Sequence, residues 1–168
     1  SNVQGSTDHG MLFNSLPGYL KAPEATDFTL ADHNKRSTPV SYDPKSANWW
    51  QNYPKYMTSL LKSWYGDNAT VENDFGFGWL PKINPGSNYS HIALFEAMLN
   101  GDIKGLFCWG QNPVVGSPNG HAVVEALKKL DWLVAIDLWD TETASFWDMP
   151  ELNPASIETE VFLLPAAA

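Results

Sequence analysis

Two stretches of this chain each read as a short apolar strand running straight into a polar loop, with a helical stretch between them. The first is Gly105-Leu-Phe-Cys-Trp-Gly-Gln-Asn-Pro113 and the second is Leu133-Val-Ala-Ile-Asp-Leu-Trp-Asp-Thr-Glu-Thr-Ala-Ser145. A strand–helix–strand unit of this kind makes a parallel pair, and parallel sheets bind ligands in the crevice beyond the carboxyl ends of their strands. One loop carries Gly110, Gln111 and Asn112; the other carries Asp137, Thr141 and Thr143. Pattern alone sets the place for a nucleotide-like ligand and stops short of a function.

The remaining segments fit an α/β chain. Residues 7–16 are compatible with a short helix capped by Thr7 or Asp8, with Met11, Leu12 and Leu16 on its apolar face and Pro17-Gly18 as its stop. Residues 21–48 are polar, lack a period, and read as an extended surface excursion. Lys55–Tyr65 is a helix after Pro54, stopped by Gly66. Ser90 caps a helix through Asn100 with Ile92, Phe95 and Leu99 on one face, and Gly101 ends it. Asn119 caps the next helix, in which Val123, Val124, Leu127 and Leu130 face the sheet and Lys128 and Lys129 lie in the last turn. Strands at 105–109, 133–138 and 160–165 have near-continuous apolar runs that fit a parallel sheet covered on both faces. The expected architecture is one α/β domain over residues 1–168. It is a parallel-sheet, Rossmann-like domain with helices on both faces and loop-rich insertions at about 21–48 and 66–89.

At 168 residues and 43% hydrophobic, the chain can build a real core and is not disordered. The net charge of −9 disfavours a nucleic-acid backbone or an anionic membrane as partner. Cys108 is the single cysteine, so the chain alone builds no internal disulfide and no cysteine-based metal or iron–sulfur site. Its neighbours Phe107 and Trp109 suggest a buried thiol. No apolar run approaches the roughly 20 residues that span a bilayer, so direct membrane insertion is not expected. Neither end looks native: Ser1-Asn-Val-Gln lacks a Met, and the other end stops on an apolar stretch.

Candidate chemistry is sparse. His9, His33, His91 and His121 are scattered without metal-ligand spacing. There is no Gly-x-Ser-x-Gly elbow and no phosphate-binding Walker loop. Phe75-Gly-Phe-Gly-Trp79 has aromatics at alternate positions and reads as a bend packed on an aromatic cluster. The eight tryptophans are spread over separate elements, which points to core and interdomain packing. Asp137, at the end of an apolar strand, is either a helix cap or an exposed strand end, or else an acceptor for ribose or guanine donors. Gly110-Gln-Asn-Pro113 is equally compatible with a purely conformational turn.

Longer motifs are more specific. Ser1-Asn-Val-Gln-Gly-Ser-Thr-Asp-His-Gly10, Leu16-Pro-Gly-Tyr-Leu20, Gly105–Pro113, Lys129-Leu-Asp-Trp-Leu-Val134 and Asp137–Trp147 together resemble the large subunit of formate dehydrogenase, of the molybdopterin guanine dinucleotide oxidoreductases of the dimethyl sulfoxide reductase type. The resemblance runs from first residue to last and covers an internal piece of that subunit. It implies a pocket for molybdopterin guanine dinucleotide carrying Mo or W. Asn2, Val3, Gln4 and Gly5 would lie near the pterin and metal, Gly110, Gln111 and Asn112 along the dinucleotide, and Ile136 and Asp137 at the guanosine, with Thr141 nearby.

In that family the [4Fe–4S] cysteine cluster, the selenocysteine or cysteine metal ligand and a catalytic histidine lie in the N-terminal part, and a catalytic arginine falls just before the Asn-Val-Gln-Gly motif. The resemblance therefore implies no catalytic residue and no metal ligand in this chain. It further implies formate oxidation to carbon dioxide by the parent, in the periplasm. Its partners would be the remaining domains of the same subunit and an iron–sulfur electron-transfer subunit. Two other readings stand beside this one: another oxidoreductase on the same scaffold (nitrate, thiosulfate or polysulfide reductase), and a non-catalytic nucleotide-binding fragment.

Overall fold

The computed structural model describes residues 3–43 and 45–167. Two compact units emerge, residues 1–87 and 88–168.

The first unit begins with helix α1 (Val3–Asp8). The expected helix over 7–16 is thereby corrected: the helix lies upstream and ends where Gly10 turns left-handed at φ 70°. The Met11 amide donates back to the Ser6 carbonyl at 3.0 Å, a glycine-terminated C-cap rather than an N-terminus. A side chain at position 10 would also strike the Leu16 backbone, since an added Cβ would sit 2.6 Å from its carbonyl carbon. Strands β1 (Ser15–Leu16) and β2 (Leu20–Lys21) then pair antiparallel around Pro17-Gly18-Tyr19.

Residues 21–48, read from the sequence as an extended surface excursion, contain helix α2 (Leu30–Ser37). Thr29 and Asp32 form a reciprocal capping box, with amide-to-side-chain bonds of 3.1 and 3.0 Å. Only Leu30, His33 and Ser37 are buried along α2, so it has no apolar stripe for a periodicity search to find. Helix α3 (Tyr53–Tyr65) matches its expectation: Pro54 sits in the first turn, Gly66 ends it, and Tyr53, Met57 and Leu61 repeat every four residues on the buried face. These three join Leu20, Leu30, Phe77 and Leu80 in the unit's core.

The bend at Phe75–Trp79 is present and packs on aromatics as expected, with the Tyr65 and Trp79 rings edge-on at 5.0 Å. Three consecutive residues there, Asp74, Phe75 and Gly76, are left-handed. Asp74 tolerates this conformation because its carboxylate accepts from the Leu30 amide at the start of α2, 3.2 Å away.

The second unit is a three-stranded parallel sheet of β3 (Gly105–Trp109), β4 (Trp132–Asp137) and β5 (Glu160–Pro165) in that order. Helices α4 (His91–Leu99), α5 (Pro113–Gly116) and α6 (Gly120–Leu127) accompany it. Ser90 and Asn119 cap α4 and α6 as the sequence predicts. Helix α4 presents Phe95 and Met98 to the core rather than Ile92 and Leu99, which are exposed. Helix α6 closes at Leu127, with Lys128 as its C-cap, so no lysine occupies its last turn.

The three expected strands form the parallel sheet, while a continuous Rossmann-type sheet with helices on both faces is not seen. The sheet is small, and the connection from β4 to β5 carries 3-10 turns at Phe146–Asp148 and Pro154–Ser156 instead of an α-helix. One face, with Cys108 and Leu133, packs against Phe95, Met98, Val123, Leu127 and Phe146. The other exposes Phe107, Trp109, Phe162 and Leu164. The core half of the tryptophan expectation is not met: none of the eight reaches full burial, and Trp49, Trp109 and Trp139 are each at least 70% exposed. Among the described residues, no helix is long and apolar enough to cross a membrane.

Candidate functional site

The polar loops sit where a parallel sheet is built to hold a ligand. In the β3–β4 register Trp109 stands opposite Ile136, so Gly110 and Asp137 follow as the next pair at the carboxyl ends of adjacent strands. The Gly110 amide continues the ladder to the Ile136 carbonyl at 2.9 Å, and the Ala166 amide does the same to Asp137 at 2.9 Å on the β5 side. Gly110 is left-handed at φ 60°, and nothing lies within 4 Å of where a Cβ would stand. The chain therefore leaves open space beside its backbone at this point, as close approach of a phosphate requires.

Asp137 accepts from the Leu138 amide through Oδ1 at 2.7 Å, and no described group occupies its other oxygen. Gln111 is exposed, and Thr141 half-buried. A hollow of about 240 Å³ runs along the free edge of β3, lined by Cys108, Trp109, Gln111 and Pro113 on one side and Leu94 and Phe95 of α4 on the other. Cys108 is buried as expected. Burial, reinforced by the negative charge of Asp137, pushes its thiol above the usual range, so it is a packing group here rather than a nucleophile.

Asn112 is tied down more than the sequence suggests. Its amide oxygen accepts from the Thr143 amide at 3.2 Å and from the Thr143 hydroxyl at 2.8 Å. Its Nδ2 donates to the Glu142 carboxylate at 2.6 Å. The Thr143 hydroxyl, fully buried, accepts in turn from the Val114 amide at 3.1 Å. Glu142 is ionised below the usual carboxylate range by its own backbone amide and by Asn112. Sequence reading missed Glu142; the polar run Thr141-Glu-Thr143 was its only signal. Exposed Trp109 and Trp139 flank the strand ends, and an indole in that position can stack on a heterocycle.

Of the candidates in the first unit, Asn2 lies outside the described residues. Val3, Gln4 and Gly5 form the first turn of α1, with Gln4 exposed and Gly5 half-buried. That unit also holds a buried polar cluster that sequence reading missed. Asp27 accepts from Arg36 at 2.9 and 2.6 Å and is bonded to His33 Nδ1 at 2.9 Å; His33 Nε2 meets the Tyr53 hydroxyl at 3.0 Å. The Arg36 guanidinium holds the Asp27 carboxyl well below the usual range, and burial lowers His33, leaving the imidazole neutral. Every member is partnered within the protein, as expected of a structural network. Among the described residues, no group of three or more His, Cys, Asp or Glu side chains is placed to hold a metal ion.

The fold and site thus define a small parallel α/β unit with polar loops at the carboxyl ends of its strands. No family model matches the chain. It is 51% identical over 166 residues to the alpha subunit of formate dehydrogenase 2 (cytochrome c-553) of Nitratidesulfovibrio vulgaris, covering 99% of this chain and 16% of that protein. It is 49% identical over 167 residues to the formate dehydrogenase alpha subunit of Megalodesulfovibrio gigas, with the same coverages. To the nitrate-inducible formate dehydrogenase major subunit of Escherichia coli K12 it is 44% identical over 170 residues, covering 99% of this chain and 17% of that subunit. The chain spans about one sixth of the length of these relatives. These matches support a segment of a formate dehydrogenase-type large subunit, from the molybdopterin oxidoreductases.

Proposed function

We propose that residues 1–168 act as one cofactor-binding segment of a formate dehydrogenase large subunit, supplying part of the pocket for molybdopterin guanine dinucleotide. The observation that carries this reading is that Gly110–Asn112 and Asp137 follow neighbouring parallel strands at the same carboxyl end, with the Gly110 amide bonded to the Ile136 carbonyl. The donor set fits a guanine nucleotide. A glycine backbone with open space beside it admits a pyrophosphate, amide N–H groups donate to phosphate, and the free carboxylate oxygen of Asp137 accepts from guanine or ribose. Thr141 borders this end; Asn2, Val3, Gln4 and Gly5 serve the pterin and metal end.

When bound, the molybdopterin with its Mo or W supplies the two-electron chemistry that takes formate to carbon dioxide. This chain's own residues orient the nucleotide and hold no proton in the reaction. The metal ligand, the [4Fe–4S] centre and the catalytic side chains belong to other parts of the subunit, electrons leave through an iron–sulfur partner subunit, and the assembly works in the periplasm. The 168 residues alone are expected to show no formate-dependent dye reduction.

The test is Asp137→Asn in the full-length subunit. Asparagine keeps an acceptor for the Leu138 amide, so folding is retained, while guanine nucleotide recovered from the purified protein is expected to fall at least several-fold. Full cofactor content in that variant would remove the assignment.

A further inference from the structure

We propose that Asn112, Thr143 and Glu142 form a lock that sets the gap between the two strand-end loops, and that Asn112 keeps a single amide N–H for a phosphate oxygen of the nucleotide. The lock half rests on geometry alone; the donor half rests on the cofactor reading above.

The hydrogen-bond inventory of an asparagine side chain decides the point. Its carbonyl oxygen has two lone pairs and its amide nitrogen has two hydrogens. Thr143 fills both lone pairs, from its amide and its hydroxyl. Glu142 takes one hydrogen at 2.6 Å. These three bonds also fix which way the amide faces, because a flipped amide would set its oxygen against the Glu142 carboxylate and its NH₂ against the Thr143 amide. One N–H is left without a described partner. Asn112 can therefore donate once to a ligand and can accept nothing from it. Guanine N1 and N2 and the ribose hydroxyls need an acceptor, which Asp137 offers on the neighbouring strand. The phosphates need donors: Asn112 offers one, and the open space beside Gly110, whose own amide is bonded to Ile136, lets them approach.

The lock reaches past the three side chains. The buried Thr143 hydroxyl donates to one loop's asparagine and accepts the Val114 amide of the α5 turn, so a single oxygen joins the loop after β4 to two points of the loop after β3. Thr143 and Glu142 are positioning residues in this scheme, acting on the ligand only through Asn112.

A charge swap separates the two halves. Asn112→Asp keeps the acceptor for Thr143 but sets a carboxylate oxygen against Glu142, which should part the loops. Adding Glu142→Gln supplies an amide hydrogen and restores the bond in reverse, yet leaves no N–H at position 112 for a ligand. In the 168-residue chain, amide hydrogen exchange at Val114 and Thr143 reads the lock, and chemical-shift titrations with GDP and with guanosine read the donor.

Asn112→Asp is expected to lose at least fivefold in protection at both amides, and the paired variant to regain it. GDP should bind the paired variant at least threefold more weakly than wild type, with guanosine unchanged. Thr143→Val should lose protection at Val114, and Thr143→Ser should keep it. Unchanged exchange in both Asn112→Asp and Thr143→Val overturns the lock. Full recovery of GDP affinity in the paired variant, or no GDP response in wild type at millimolar nucleotide, overturns the donor role. Failure of the wider cofactor reading shows separately, as GDP shifts that survive Asp137→Asn unaltered.

Discussion

The two units handle their polar groups in opposite ways. In residues 1–87 the charged cluster lies inside: Asp27 and His33 are buried, and Arg36, Glu24 and Tyr53 complete their bonding. In residues 88–168 the buried core around Leu127 and Leu133 holds no charged side chain, its buried polar groups being the hydroxyls of Thr143 and Thr159, and Asp137 and Asn112 at the ends of β3 and β4 retain unused bonding capacity. A network that satisfies itself stabilises and has nothing left for a ligand. Polar groups at a strand end, held by a dry core but not consumed by it, are free to recognise one. The lowered Asp27 carboxyl belongs to a cluster whose members satisfy one another, so a shifted titration does not by itself mark a ligand site.

That contrast can be broken first at Asp27. Asp27→Ala leaves the Arg36 guanidinium with Glu24 as its remaining ion-pair partner and removes the partner of His33, and losing one member of a buried ion pair costs up to about 3–5 kcal/mol. Urea unfolding followed through residues 1–87 should show a loss of that order; a loss under about 1 kcal/mol would mean the cluster does not hold the unit together. In the second unit Leu133→Ala, at a fully buried strand position, should cost about 2–5 kcal/mol through lost transfer energy and the cavity left behind.

Acid sharpens the comparison. His33 is lowered in the folded chain, so the unfolded chain takes up its proton first, and stability falls as pH drops below the unfolded value of about 6.5. Asp27 is also lowered, and its contribution, complete above about 4, is lost as pH falls further. Both act in the same direction, so the first unit should lose stability earlier on acidification than the second; pH-dependent exchange across the two units checks this. The smallest effect is at Cys108. Its buried, raised thiol should alkylate at least tenfold more slowly than a free cysteine at pH 8, and a normal rate would place it at the surface.

Much of the second unit was readable beforehand, because its signals are local. The caps at Ser90 and Asn119 and the apolar runs of β3, β4 and β5 each carry their own instruction, and the strand–helix–strand order makes the sheet parallel. The same local logic misled at residues 7–16, where Thr7 and Asp8 look like caps but precede a glycine that closes a helix. Helix α2 escaped notice because what holds it is not a stripe of apolar residues but His33 and Arg36 bonded to Asp27, six and nine residues away, and Asp74, forty-four residues from Leu30.

The sequence by itself determined where the candidate ligand loops begin, since a strand must end where Gly110 and Asp137 interrupt an apolar run. It also carried the resemblance to formate dehydrogenase large subunits in its longer motifs. Only the tertiary structure decided what those loops can still do. Asn112 and Thr143 are thirty-one residues apart, and nothing in either stretch reveals that the sheet register sets them within hydrogen-bonding distance. Whether a polar side chain is available to a ligand depends on partners brought together by packing, and chain order does not encode that in any local pattern.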